Sequence, residues 1–108
     1  MTNQQILDAY IDKLDKISEQ GKIKIDGIFK EYSERDNGIS LVIDHCQPIL
    51  NEFSSKYSFS FPQEFAGADI RLKYYSLIKS NEVYMELSNY FKELLESFVK
   101  SKLDILED

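Results

Sequence analysis

Asp44, His45 and Cys46 are consecutive, and together they supply an acid, a base and a nucleophile. They hold the only histidine and the only cysteine of the chain, two residues before Pro48. That set of side chains could in principle run thiolate chemistry, with the imidazole drawing the proton from sulfur. The spacing argues against it. Val42, Cys46, Ile49, Leu50 and Phe53 recur at helical intervals, which predicts a helix with Cys46 on its buried side. Successive helical residues point about 100° apart, so neighbouring His and Cys do not face one another. Pro48 should bend or restart that helix, because it lacks an N–H and crowds the carbonyl four residues back. The stretch reads as a kinked core helix with His45 at its margin.

Other chemistries find less support. One His and one Cys cannot complete a four-ligand zinc set, and no carboxylate stands at a metalloprotease spacing. The "DNG" at 36–38 lacks the acidic ligands of a calcium loop. Four scattered glycines make no phosphate cradle, and the carboxylate pairs fall on polar helix faces where nothing separates their pKa values. We expect no enzyme, no cofactor and no bound metal.

The elements that carry these residues follow from apolar periodicity. Thr2 with Gln5 three places on forms a capping box, and Gly21 reads as the stop of a first helix. Within it Ile6, Tyr10, Leu14 and Ile17, widened by Leu7 and Ile11, form the apolar side. Residues 22–38 fit a helix through Ile25, Ile28, Phe29 and Tyr32. "KIKI" and "DNG" also permit a two-stranded hairpin over about 23–43. Ser40 is read as the N-cap of the Cys46 helix. Tyr57, Phe59 and Phe61 alternate with serines and should press on the bundle as a loop. A helix from Pro62 would bury Phe65, Ile70, Tyr74, Leu77 and Ile78, and Ser80 or Asn81 would cap a last one. That one buries Val83, Leu87, Tyr90, Phe91, Leu94 and Phe98 before fraying at its acidic end. The expected fold is all-α, one domain over 1–108, a bundle of four to five helices, with an α+β variant carrying the hairpin as the alternative.

The formal charge of −6 is unevenly distributed: residues 1–20 and 81–108 carry the acidic excess, and the middle is balanced. Such ends repel phosphate backbones, so direct nucleic-acid binding is not expected. The N-terminus has no basic segment followed by an apolar run, and no stretch reaches the ~20 apolar residues that cross a bilayer. With a single cysteine, these features point to the cytoplasm and away from membranes. Eleven lysines against two arginines suggest an AT-rich bacterial or phage source.

The surface is where function should lie. Asp8, Asp12, Asp15 and Glu19 make one acidic ridge, and Glu82, Glu86, Glu93 and Glu96 a second near the other end of the chain. Tyr75 and Tyr84 fall off the apolar stripes and are candidate interface anchors, since tyrosine offers apolar area at low entropic cost. A small, acidic, helical, tyrosine-bearing chain is similar in character to the immunity proteins that neutralise nuclease toxins. Tyr74-Tyr75 is followed by Ser76, where the DNase-colicin immunity proteins carry Tyr-Tyr-Pro. The resemblance implies an inhibitor that binds a basic toxin or nuclease. The contact residues expected from the residues themselves are Glu82, Tyr84, Glu86, Glu93, Asp8, Asp12, Asp15 and Tyr75. Two alternatives are a phage anti-defence protein that mimics DNA and a homo-oligomeric helical module, for instance a homodimer.

Overall fold

Thr2 accepts a hydrogen bond from the Gln5 amide while the Gln5 side chain accepts from the Thr2 amide, so the capping box forms and starts a long helix. The computed structural model describes residues 2–58, 67 and 69–107, with the side chains of 58 and 104–107 set aside. Among these residues there are three helices and no strand: α1 (Asn3–Tyr32), α2 (Gly38–Phe53) with a π-helical turn at Ser54–Ser58, and α3 (Ile70–Glu107).

The class is all-α as expected, and the helices are fewer and longer than the spacing suggested. Gly21 does not stop the first helix. It lies buried against Leu87, and a Cβ added there would come within 3.1 Å of that leucine. Residues 22–32 simply continue α1, and the hairpin alternative is absent. Asn37, rather than Ser40, stands before α2. Pro48 lies within α2 without interrupting the element. Ser80 caps nothing: its hydroxyl donates to the Ser76 carbonyl inside a continuous α3. The C-terminal residues continue that helix as far as Glu107 instead of fraying. Of the aromatic loop, Tyr57 meets Phe53 with ring centroids 5.1 Å apart, as expected. Phe59, Phe61, Pro62 and Phe65 lie outside the described residues.

Cross-helix pairs give the topology. Tyr10 meets Ser80, Lys22 meets Glu86, Asp26 meets Tyr90 and Phe29 meets Phe98, so α1 and α3 run parallel. His45 stacks on Tyr32 while Phe53 faces Tyr84, so α2 runs back between them in the opposite sense. The result is an up-down-up rod measuring 60 × 19 × 18 Å. Its length is that of α3, whose 38 residues rise about 57 Å.

The core follows the long axis. Leu7, Tyr10, Leu14 and Ile25 from α1 meet Val42, Cys46, Leu50 and Phe53 from α2 and Val83, Leu87 and Phe91 from α3. The expected stripes of α2 and of α3 beyond residue 83 are therefore present. The first half of α3 is different. Ile70, Tyr74 and Ile78, read as core, are each more than half exposed, and Ser76 and Ser80 occupy the buried side. Ser76 donates to the Lys73 carbonyl and Ser80 to that of Ser76, so each hydroxyl is satisfied within its own helix and can be buried at low cost.

Candidate protein-binding face

Cys46 is fully buried, and burial pushes its thiol up to about 11. His45 turns away from it: Nδ1 donates to the Leu41 carbonyl at 2.7 Å and the ring stacks on Tyr32 at 4.2 Å. The Asp44-His45-Cys46 run is a stretch of helix in which the base and the thiol never meet. Among the described residues no three His, Cys, Asp or Glu side chains gather where an ion could sit, and no helix is long and apolar enough to cross a membrane.

The acidic ridge of α1 is an exposed edge built on a 4-3-4 step: Asp8, Asp12, Asp15, Glu19. Asp8 accepts from the Gln4 amide and Asp12 pairs with Lys16 at 3.0 Å. The same step continues through Lys22 and Asp26, and both of these reach α3. Lys22 bonds Glu86 at 2.7 Å, and the Tyr90 hydroxyl donates to Asp26 at 2.5 Å. That bond to a carboxylate holds the Tyr90 phenol above its usual pKa. The Lys22 ammonium also sits 5.6 Å from the centre of the Tyr90 ring.

These contacts stitch the ridge of α1 to the edge of α3 that carries Glu82, Glu86 and Glu93. The two ridges border one seam because the helices are parallel neighbours. Glu82 pairs with Lys79 at 3.2 Å, whereas Asp15 and Glu93 take no ion-pair partner among the described residues. Along the seam stand eight carboxylates (Asp8, Asp12, Asp15, Glu19, Asp26, Glu82, Glu86, Glu93) against three ammonium groups (Lys16, Lys22, Lys79).

Of the two tyrosines, only Tyr75 is on the surface, 44% exposed with Lys79 5.4 Å from its ring centre. Tyr84 points the other way. It is half-buried and stacks on Phe53 of α2, 6.3 Å between centroids, so it belongs to the packing. Sequence reasoning missed Lys22, Asp26 and Tyr90, the residues that join the ridges. The signal for the first two was present, since they extend the same 4-3 step. It also missed the exposed row formed by Ile70, Tyr74, Ile78 and Met85.

Open depressions occur at the α1–α2 connection, lined among others by Arg35, Asn37, Gly38 and Lys102, and along α3 around Ile78, Met85 and Asn89. Neither encloses a nucleophile beside a base. The geometry can present charge and aromatic area to a macromolecule. Comparison with protein-family models, curated proteins and solved structures finds no match for the chain.

Proposed function

We propose that this chain is a protein-binding inhibitor of the immunity or antitoxin kind, which applies the α1/α3 seam to the basic surface of a toxin or nuclease. The observation that carries the reading is the joining of two carboxylate ridges into one face by Lys22–Glu86 and Tyr90–Asp26. A face of one sign attracts a basic partner over about a Debye length, raising the association rate in a salt-dependent way. Tyr75 at its edge supplies apolar area for the docked state. The contact set is Glu82, Glu86, Glu93, Asp8, Asp12, Asp15 and Tyr75, without Tyr84.

Magnitude separates this from DNA mimicry. From Asp8 to Asp26 helix α1 rises about 27 Å, a length over which duplex DNA carries about 16 phosphates. The seam offers eight carboxylates, three of them neutralised. It is too dilute to imitate a duplex and dense enough to steer a basic protein.

The test is a paired capture from lysate of the source cell, with wild-type bait beside Asp15→Lys/Glu93→Lys. Those two carboxylates are chosen because neither supports the fold through an ion pair. Thermal stability should stay within about 0.5 kcal/mol of wild type, as for other surface changes. Retention of one basic protein near one-to-one, loosened by salt and reduced at least tenfold by the double reversal, is the expected result. Equal retention by both baits would remove the seam from the interface.

A further inference from the structure

The outward side of α3 carries an apolar row that no helix of the bundle covers: Ile70, Tyr74, Ile78 and Met85, exposed by 56, 56, 54 and 54%. At 100° per residue the four fall within an arc of about 80°, one continuous stripe. The stripe stands beside the carboxylate seam and is distinct from it, for Glu82 and Glu86 lean toward α1 through Lys22 while these side chains point into solvent. A contiguous exposed apolar strip with a polar rim marks an interface.

We propose that the stripe is where two copies of this chain meet, their α3 helices antiparallel across a twofold axis at Ile78. The order of charges along the helix argues for this occupant. Arg71 lies before Ile78, while Glu82 and Glu86 lie after it. In an antiparallel pair each residue before the axis faces the one equally far beyond it. Ile78 then meets Ile78, and Ile70 meets the second copy's Met85–Glu86. Arg71 faces Met85 of the other copy, with Glu82 and Glu86 on either side. Arg71 is suited to that role: its side chain is 90% exposed, and its one carboxylate neighbour is Asp69, two residues away. Parallel pairing would set arginine on arginine and glutamate on glutamate. A basic foreign helix would satisfy Glu82 but repel Arg71, Lys73 and Lys79. An isologous contact is the arrangement that satisfies both ends of the stripe.

The area is adequate for a reversible dimer. Four half-exposed large side chains and Tyr75 offer roughly 400–500 Å² of apolar surface per copy. Flanking polar groups bring the total near the low end of specific interfaces, where about 600–800 Å² is buried per partner. The contact does not rest on the inhibitor reading, and the Asp15→Lys/Glu93→Lys chain should dimerise like wild type.

Single-cysteine crosslinking decides it, because only a twofold axis brings one position against itself. The full chain carrying Ile78→Cys is oxidised beside the same chain carrying Ile23→Cys, at an equally open site on α1 (64% exposed). The native Cys46 is buried and stays silent in the folded protein. The expected result is a disulfide-linked dimer forming at least tenfold faster from Ile78→Cys. Sedimentation equilibrium of the unaltered chain should show a mass rising from one copy to two, and Ile78→Arg should remain monomeric with unchanged helical circular dichroism. Equal crosslinking rates at the two positions, or a dimer that survives Ile78→Arg, would overturn the proposal. If Ile78→Arg fails to fold, the crosslinking comparison still decides it.

Discussion

At the scale of single residues, the nearest thing to a reactive centre is Cys46, and its surroundings make it inert. The thiol sits in the core with its pKa raised from 9.0 to about 11 by burial alone. A folded-state pKa above the unfolded value means the native protein holds its proton longer. Its contribution to stability is therefore complete below pH 9 and is lost as pH rises toward 11. Tyr90, raised by its bond to Asp26, acts in the same direction. The urea midpoint should thus fall between pH 8 and pH 10.5, and Cys46→Ala should flatten that fall. Native alkylation of Cys46 should be slow, accelerating only as the chain unfolds; rapid labelling at neutral pH would contradict the burial. The cysteine's inertness was readable from the sequence, because the apolar spacing around it left one face for it to occupy. Tyr84 was not: half-burial against Phe53 depends on where α2 ends, and no local pattern encodes that.

At the scale of elements, two glycines in one helix separate propensity from packing. Gly27 faces open space, with nothing within 4 Å of an added Cβ. Gly27→Ala should stabilise the protein by about 1 kcal/mol, the usual difference between these residues in a helix. Gly21→Ala should gain none of that, since the new methyl presses on a fully buried leucine. Chemical denaturation of the two variants side by side checks both. The same glycines explain the wrong helix count. Gly21 has the residue type of a terminator, but here it serves the close approach of α3, and only the partner helix reveals that. Serine misled in the opposite way. Ser76 and Ser80 look like surface or cap residues, yet they bond their own backbone and go inside, which turns Ile70, Tyr74 and Ile78 outward. Where large apolar residues alone filled one face, as at Val42–Phe53 and Val83–Phe91, the reading was right. Tyr10 ties the two parts together by bonding Ser80 at 3.0 Å in the interior. Tyr10→Phe should cost about 1 kcal/mol, the net worth of one such bond.

At the scale of the whole molecule, three uninterrupted helices give a rod where a four- or five-helix bundle would have given a ball. The Cα radius of gyration is 17.4 Å, against about 13 Å for a compact domain of this length. Dilute small-angle scattering should return a value near the larger figure for the single copy. A value near the smaller one would mean that α1 or α3 folds back on itself. The elongation also explains why the acidic ridges could be listed from sequence but not joined. Each ridge follows from the period of its own helix; their union requires α1 and α3 to be parallel neighbours, a fact carried by pairs 64 and 70 residues apart.

Two long helices pointing one way and a shorter one returning leave the peptide dipoles of the rod uncancelled. If 30 and 38 residues point forward and 16 point back, the backbone alone leaves a moment of about 180 D along the axis at ~3.5 D per residue. Asp104, Glu107 and Asp108 lie at the negative pole and lengthen that moment. The molecule is thus an electrical needle as well as a mechanical one, and a field pulse should turn it end-on, readable as transient birefringence. Antiparallel pairing of two such needles would cancel the axial moment, so the same optical signal should fade as copies associate.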